Sequence, residues 1–321
     1  MNNKEKLAFI KEKIKINYKV SKCFGIKYGL SDFLATVIFR SKSNIGKKIH
    51  IYEHEIVKKY LKNKYNNILE RFEYKEPDKI SDTSPIWILW WQGIENAPLI
   101  VKKCIESVMS NANKHSVVII DKNNYAKYIK LPEYIIKKVE NQIITITQFS
   151  DILRMSLLYE HGGIWMDATI FAVSDFSKDF SKYSIYSIKH CKFSEYHVCK
   201  GMWSGFFLAA SKGNCIVKLF RDFFLEYWKF ENCLITYFLI DCIIALCYEN
   251  NFWVKKELDK IPCNNSNVFE MQTLLKKEFD EENFKAICEN NDLFKVSWKL
   301  DFSTSKNNTY LDLITDYKGG K

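Results

Sequence analysis

Residues 149–169 decide the fold, and they read FSDILRMSLLYEHGGIWMDAT. The first two thirds of this segment carry apolar residues at helical spacing, and the glycine pair Gly162-Gly163 ends the pattern. The apolar residues after the glycines predict a short buried strand, with Asp167 at its end. A helix that turns back sharply into a buried strand is part of the repeating unit of an α/β fold.

Three charged side chains of this segment are expected to lie close together. Asp151 and Arg154 are three residues apart, so they share one face of the predicted helix. The glycine turn then returns the chain so that Asp167 can approach that face. Asp151, Arg154 and Asp167 are therefore the candidate catalytic residues. The structural alternatives are that Asp151 and Arg154 form only an intrahelical ion pair, and that Asp167 only ends the strand.

Strands and helices alternate on both sides of this segment. Residues 86–91 and 117–120 are unbroken apolar runs, which is typical of strands buried on both faces. Helical patterns follow at residues 98–108, 133–140 and 216–230, with a further apolar run at 206–210. The alternation predicts an α/β fold with a mainly parallel sheet and helices on both faces. Such sheets bind ligands at the carboxyl ends of their strands, where Gln92, Asp121 and Asp167 fall.

The net charge of +10 is confined to one part of the chain. Residues 1–80 hold 19 Lys and Arg against 9 Asp and Glu, whereas residues 81–321 hold 29 of each sign. Because positive and negative charges are equal in number over residues 81–321, the sequence argues against a nucleic-acid binding protein. Prolines at 77 and 85 interrupt the helical pattern between the two parts. We therefore predict a basic, mostly helical extension over 1–80 and a catalytic domain over 81–321.

Cysteine and histidine patterns suggest no further site. The ten cysteines include no C-x-x-C pair, and the N-terminus lacks the apolar run of a secretory signal. Free thiols in a reducing, cytoplasmic compartment are the expectation. His50 and His54 are four residues apart without a third ligand nearby in sequence, so they are interpreted as part of a solvated helix face.

One apolar segment is long enough to raise the question of a membrane span. Residues 233–248 are mostly apolar, but they fall short of the roughly 20 residues that a crossing helix needs. Asp241 lies near the middle, where a charge is costly in a bilayer. The segment is interpreted as a buried helix of the catalytic domain.

Three motifs resemble those of the capsular polysaccharide synthesis proteins, a group related to glycosyltransferase family 32. The motifs are Trp90-Trp91-Gln92-Gly93, Phe149–Arg154 and His161–Thr169. The resemblance extends from about Ile86 to Trp298, roughly two thirds of the chain. It implies the GT-A fold, which is a Rossmann-like, mainly parallel sheet with flanking helices, here preceded by the helical extension. It also implies a sugar-binding region of the DxD type.

The resemblance assigns roles to individual residues. It implies that Asp151 and Arg154 hold hydroxyls of a donor sugar, and that Asp167 contacts the ribose, the sugar or a metal. The implied donor site further contains Trp90 or its neighbour Trp87, Gln92, Gly93, Asp121, Ser150, Gly163, Thr169, Lys295, Ser297 and Trp298. Asp241 is a candidate at the acceptor site, although a buried structural role explains it equally well.

The DxD region departs from the family pattern at its second carboxylate. Asp167 matches the first carboxylate, but Thr169 stands in the second place. Hard cations prefer carboxylate oxygens to a hydroxyl. We expect a divalent cation, Mn²⁺ or Mg²⁺, with Asp167 and Ser297 as its protein ligands and diphosphate oxygens completing the shell.

By this resemblance the chain is a bacterial glycosyltransferase that works from the cytoplasm. It would move a sugar from a nucleotide-diphosphate donor, with retention, to a lipid-linked glycan in capsule or exopolysaccharide synthesis. Residues 1–80 would then contact an anionic membrane surface, as a peripheral protein at the inner face of the cytoplasmic membrane. The alternatives are a toxin-like enzyme that glycosylates proteins, and a catalytically inactive binding or assembly protein of the same fold. No nucleic-acid partner is expected.

Overall fold

A computed structural model describes residues 3–39, 43–177, 180–192, 195–300 and 308–318. Helices form its N-terminal part, as the sequence predicts. They are α1 (Asn3–Phe24), α2 (Ile26–Phe33), which continues into a π-helical turn over Leu34–Ile38, and α3 (Asn44–Glu70).

A five-stranded sheet forms the centre of the molecule. The strands of the chain are β1 (Ile86–Leu89), β2 (Val117–Ile120), β3 (Gly163–Asp167), β4 (Ile170–Ala172), β5 (Ile185–Ser187), β6 (Phe207–Ala210) and β7 (Leu293–Lys295). The order in the central sheet is β2-β1-β3-β6-β5. β1 is parallel to β2 and β3, β6 is antiparallel to β3, and β5 is antiparallel to β6. Within the central sheet, all strands except β6 therefore run in one direction, which confirms the predicted mainly parallel sheet.

Helices flank this sheet. They are α4 (Leu99–Ser110), α5 (Glu133–Glu140), α6 (Ile146–His161), α7 (Cys215–Phe230), α8 (Leu239–Asn250), α9 (Phe252–Asp259), α10 (Glu270–Leu274), α11 (Glu281–Cys288) and α12 (Tyr310–Thr315). Ile86, Trp87 and Ile88 of β1 are all buried. Because successive side chains of a strand point to opposite faces, this burial requires cover on both faces of the sheet.

The turn from α6 into β3 depends on its two glycines. The Thr145 hydroxyl accepts a hydrogen bond from the Gln148 amide at the start of α6. At the other end Gly162 and Gly163 have φ of 70° and 108°, which side chains disfavour. A Cβ on Gly163 would lie 2.2 Å from the Pro85 carbonyl oxygen. Glycine at this position therefore lets β3 enter the sheet directly beside β1.

A second, two-stranded sheet brings the C-terminal region back to the end of β3. β4 pairs with β7 in antiparallel fashion, with Ile170 opposite Lys295. The Val296 amide then donates to the Thr169 carbonyl at 3.0 Å. This pairing brings the segment that contains Lys295, Ser297 and Trp298 alongside the segment that begins at Asp167.

The N-terminal helices share their core with the rest of the molecule. Tyr65 of α3 is buried, and its hydroxyl donates to Glu231 at 2.7 Å. Lys58 forms an ion pair with Glu249 on α8, with Nζ and Oε2 2.8 Å apart. Buried side chains of α1, α2 and α3 belong to the same hydrophobic core as the other described residues, and the division at residue 80 stays a prediction.

Two further findings concern the cysteines and the apolar segment. Cys191 and Cys263 form a disulfide, so the expectation of free thiols is wrong for this pair. They are 72 residues apart, and the local spacing of cysteines does not reveal such a pairing. The segment 233–248 contributes to α8, whose apolar residues are buried. Among the described residues, no helix combines the length and apolar character needed to cross a bilayer.

Candidate active site

Four charged side chains alternate in sign at the carboxyl end of β3. Arg154 Nη1 lies 2.7 Å from Asp151 Oδ1, and Arg154 Nη2 lies 3.4 Å from Asp167 Oδ1. Lys295 Nζ lies 3.1 Å from Asp167 Oδ2 and also donates a hydrogen bond to the Thr169 hydroxyl. The structure thus brings together the three predicted catalytic residues with Lys295 and Thr169. We call Asp151, Arg154, Asp167 and Lys295 the charge chain.

Packing fixes the guanidinium of Arg154. Arg154 is only 4% exposed, and its Cζ lies 4.9 Å from the centre of the Trp165 ring. The Trp165 indole N–H donates to Asp167 Oδ1 at 3.2 Å. On the other side, a Cβ built on Gly205 would lie 3.4 Å from Arg154 Nη1, so the glycine leaves just enough room for the guanidinium. Arg154 and Asp167 are therefore preorganised.

The two carboxylates of the charge chain differ in acidity. Burial raises the pKa of Asp151 to about 7, although the adjacent Arg154 opposes that rise. Burial also acts to raise the pKa of Asp167, but Lys295 and Arg154 outweigh it, and the pKa falls below its ordinary value. At neutral pH Asp167 is ionised while Asp151 lies at its titration point. At that pH the four side chains of the charge chain together carry a net charge between zero and +1.

The residues expected to hold a divalent cation are already engaged. Both oxygens of Asp167 accept bonds from Arg154, Trp165 or Lys295, and the Lys295 ammonium bridges Asp167 and Thr169. The Ser297 hydroxyl accepts a hydrogen bond from the Lys299 amide at 3.2 Å. A hard cation needs six or more oxygen ligands, and this arrangement offers no pair of free carboxylates. In this arrangement the Lys295 ammonium already places a positive charge beside Asp167 and Thr169, and the divalent cation stays a prediction.

Two tryptophans meet at the expected nucleotide end of the site. The rings of Trp90 and Trp298 contact edge to face, with their centres 5.6 Å apart. The buried Trp90 Nε1 has no hydrogen-bond partner among the described residues. Trp90 follows β1 and Trp298 follows β7, so the contact joins the two parts of the predicted donor site.

The turns after β1 and β2 also approach each other. Gly93 has φ of 86°, and a Cβ at this position would lie 3.8 Å from Asp121 Oδ2. Asp121 Oδ1 accepts hydrogen bonds from the amides of Asn123 and Asn124 at 2.7 and 3.0 Å. Gln92 lies in the same turn as Gly93, and its carbonyl accepts a hydrogen bond from the Asn96 side-chain amide at 2.9 Å. The residues predicted at the ends of β1 and β2 therefore lie close together at one edge of the sheet.

Three predicted donor-site residues are used inside the fold. Trp87 is 3% exposed, and its indole N–H donates to the Gly162 carbonyl at 2.9 Å, which leaves Trp90 as the tryptophan at the site. Gly163 is packed against Pro85. The Ser150 hydroxyl donates to the Thr147 carbonyl at 2.7 Å, within the first turn of α6.

A cavity of about 820 Å³ lies beside the charge chain. One wall includes Gly205, which adjoins Arg154, and Asp241, whose Oδ1 accepts from the Trp203 indole at 2.9 Å. Burial raises the pKa of Asp241 to about 6. Burial raises the pKa of Tyr237, which also lines the cavity, and the negative charges of Asp151, Asp167 and Asp241 raise it further. Asp241 therefore lies in the wall of this cavity.

The N-terminal helices form the opposite wall, which sequence reasoning missed. Side chains from α1, α2 and α3 contribute, including Asn17, Asp32, His50, Glu53 and His54. The expectation that His50 and His54 lie on a solvated helix face is wrong, since they are 7% and 6% exposed. Their face of α3 turns towards the cavity and towards residues 196–199 and Phe238, contacts that depend on tertiary packing.

The comparisons with known proteins place the chain in a family. The family model described as "Capsular polysaccharide synthesis protein" matches residues 38–314, which include α3 and the strands β1 to β7. A solved structure described as "PaToxG Glycosyltransferase" is similar at 16% identity, over 76% of this chain and 94% of that chain, with a TM-score of 0.39. No curated protein matches. The family match confirms the predicted family, the capsular polysaccharide synthesis proteins. The chain belongs to the capsular polysaccharide synthesis protein family.

Proposed function

We propose that the protein transfers a sugar from a nucleotide-diphosphate donor to a lipid-linked glycan acceptor. The observation that carries this proposal is the charge chain at the carboxyl end of β3, where Lys295 is held against Asp167 and Thr169. Lys295, the positively charged end of the charge chain, lies at the sheet edge where α/β folds bind ligands. The Lys299 ammonium, 5.7 Å from the centre of the Trp298 ring, adds positive charge on the same side. A diphosphate is the anionic group that such a site accommodates.

The reaction needs stabilisation of a leaving diphosphate. In the proposed transfer, the bond between the sugar C1 and the diphosphate oxygen breaks, and an acceptor hydroxyl oxygen bonds to C1. The acceptor proton passes to the leaving diphosphate oxygen, on the same face of the sugar, so that the anomeric configuration is retained. Fixed donors that face developing negative charge lower the barrier of such a step. Lys295 supplies this charge, and Asp167 together with Thr169 holds it in position.

The remaining members of the charge chain bind the sugar in this proposal. Asp151 and Arg154 offer a carboxyl group and a guanidinium to sugar hydroxyls, and their mutual ion pair fixes both. Trp90 and Trp298 contact the base and close over the diphosphate. A divalent cation at Asp167 and Ser297 stays a prediction, and so does the relation to glycosyltransferase family 32. No step of the proposed transfer passes through that cation.

The acceptor enters from the cavity between the catalytic domain and the N-terminal helices. Its volume of about 820 Å³ suits part of an oligosaccharide chain. Asp241, on the cavity wall, would accept a hydrogen bond from an acceptor hydroxyl. Because the walls come from both parts of the chain, the proposal makes the N-terminal helices part of the acceptor site.

Incubation with a labelled nucleotide sugar and bacterial membrane extract tests the acceptor class. The proposal predicts label in the fraction soluble in organic solvent, and its release by mild acid, which cleaves lipid diphosphates. Label in protein bands would instead support the toxin-like alternative. Donor binding without transfer to either class of acceptor would support the inactive binding protein.

We further propose that α1 lies against an anionic membrane surface. Leu7, Ile14 and Tyr18 are each more than half exposed, and spacings of seven and eleven residues place them on one face of α1. Exposed lysines, among them Lys11 and Lys15, flank that face. Exposed apolar residues with adjacent lysines are typical of helices that lie in a membrane interface. Each Lys near such a surface contributes about 1 kcal/mol.

Vesicle sedimentation tests this contact. The full chain is expected to sediment with phosphatidylglycerol vesicles at low salt and to do so less with phosphatidylcholine vesicles. Replacing Leu7, Ile14 and Tyr18 together by Ser should abolish the binding without touching the core. A triple variant that sediments as the natural chain does would count against the proposed contact.

A further inference from the structure

A cluster of potential metal ligands lies on α3, away from the charge chain. His50, Glu53 and His54 are separated by three and one residues, so their side chains share one face of this 27-residue helix. All three are buried, with exposures of 7%, 4% and 6%. They line the N-terminal wall of the 820 Å³ cavity. We call them the His-Glu-His cluster.

The ligand atoms of the cluster are close enough to bind one ion. One atom from each residue, an imidazole nitrogen or a carboxylate oxygen, can be chosen so that all lie within 4.8 Å of one another. His50 Nδ1 and Glu53 Oε2 are 3.3 Å apart. The other Glu53 oxygen, Oε1, accepts a hydrogen bond from the Thr236 hydroxyl at 3.3 Å, which orients the carboxylate. Backbone and neighbours thus hold the three groups together.

An ion pair between His50 and Glu53 does not account for the third residue. The Nε2 atom of His54 is buried and has no hydrogen-bond partner among the described residues. Leaving a buried polar atom unpaired is unfavourable, and most such atoms in proteins have a partner. A bound metal ion would give this nitrogen a partner.

We propose that the His-Glu-His cluster binds a divalent transition-metal ion of the zinc class. Two imidazoles and one carboxylate form a three-residue ligand set that zinc sites with an open position use. Imidazole nitrogens favour zinc, copper, nickel and cobalt over magnesium and calcium, which prefer oxygen ligands. Because all three residues line the cavity, water or a molecule in the cavity could supply a fourth ligand. This inference does not rest on the proposed transfer reaction, because it is argued only from α3 and the residues around it.

Cobalt titration of the full, metal-free chain tests the proposal. Tetrahedral Co²⁺ with nitrogen ligands absorbs strongly in the visible, and Zn²⁺ should displace it. We expect about one equivalent of Co²⁺ to give this absorption in the natural chain. In His54→Gln and Glu53→Gln, affinity should fall at least about tenfold, which is the usual result of losing a ligand or its orientation.

Two control variants, each changed outside the His-Glu-His cluster, test whether the loss of Co²⁺ affinity is specific to the cluster. His161→Gln alters a histidine whose Nε2 lies against the Tyr128 carbonyl, away from α3, and Asp167→Asn removes the carboxylate of the charge chain. Both should bind Co²⁺ as the natural chain does. Circular dichroism would confirm that the cluster variants are folded. Absence of tetrahedral Co²⁺ absorption in the natural chain would overturn the proposal, whatever the variants do. The proposal is also overturned if folded His54→Gln and Glu53→Gln proteins retain full affinity.

Discussion

Asp151→Asn should change how the stability of the protein depends on pH. Asp151 is 6% exposed, and burial raises the pKa of its carboxyl to about 7, compared with an ordinary value of 3.8. The folded state therefore holds this proton more tightly than the unfolded state does. Its contribution to stability is fully present below about pH 4 and is lost as the pH rises through about 7.

The size of this effect follows from the two pKa values. Between the ordinary pKa and the folded-state pKa lie about three pH units, and each corresponds to about 1.4 kcal/mol, so the whole effect is about 4 kcal/mol. Over the experimentally convenient interval from pH 5 to pH 8 the loss is about 2 to 3 kcal/mol. The amide in Asp151→Asn does not titrate, and its oxygen can still accept from Arg154.

Urea unfolding of both proteins at several pH values between 5 and 8 measures the effect. The free energy of unfolding of Asp151→Asn, relative to the natural chain, should rise by about 2 to 3 kcal/mol across this interval. Ser150→Ala serves as the control, since it alters the neighbouring residue without adding or removing a titrating group. Its difference from the natural chain should be constant. A constant difference for Asp151→Asn as well would refute the assigned acidity of Asp151.

Three further predictions concern the turn before β3, the two tryptophans and the acceptor site. Gly163→Ala should lower the free energy of unfolding by about 3 kcal/mol or more, because its Cβ would meet the Pro85 carbonyl at 2.2 Å in a strained φ. Gly213 also has a positive φ, 71°, but open space around it, so Gly213→Ala should cost only about 1–2 kcal/mol in the same denaturation assay; equal losses would contradict the role of Pro85. Trp298→Ala should weaken nucleotide-sugar binding about three- to tenfold in calorimetric titration, the equivalent of one aromatic contact, whereas Trp253→Ala, whose ring stacks on Tyr74, should not. Asp241→Asn should slow transfer to the acceptor about tenfold or more while donor hydrolysis without acceptor stays within about twofold; a parallel loss of both rates would place Asp241 at the donor instead.

Periodicity and turn residues were sufficient to predict the fold. The unbroken run that forms β1, the Asp151–Arg154 spacing and the glycine pair are local features, and each fixes geometry over a few residues. The prediction for α5, residues 133–140, agrees with the structure at both ends. The short strands β4 and β5 have three residues each, and they carry too little pattern to be recognised before the sheets assemble.

Contacts between distant segments were beyond the reach of sequence patterns. Lys295 was expected to add positive charge, but only the pairing of β4 with β7 shows that it bridges Asp167 and Thr169. His50 and His54 have the spacing of a metal pair, yet their burial depends on packing against residues 196–199 and Phe238. The Cys191–Cys263 disulfide similarly joins segments that no local motif connects.

Release of nucleoside diphosphate from a panel of UDP- and GDP-sugars tests the central claim most directly. The account predicts that the purified chain turns over at least one donor. In the same assay Lys295→Met should lower the rate by about 10²- to 10³-fold, which is the usual effect of removing one fixed donor to a developing negative charge. Unchanged circular dichroism would show that the variant is folded. Failure of every nucleotide sugar to be hydrolysed, or full activity of Lys295→Met, would contradict the assignment of the charge chain as the site of transfer.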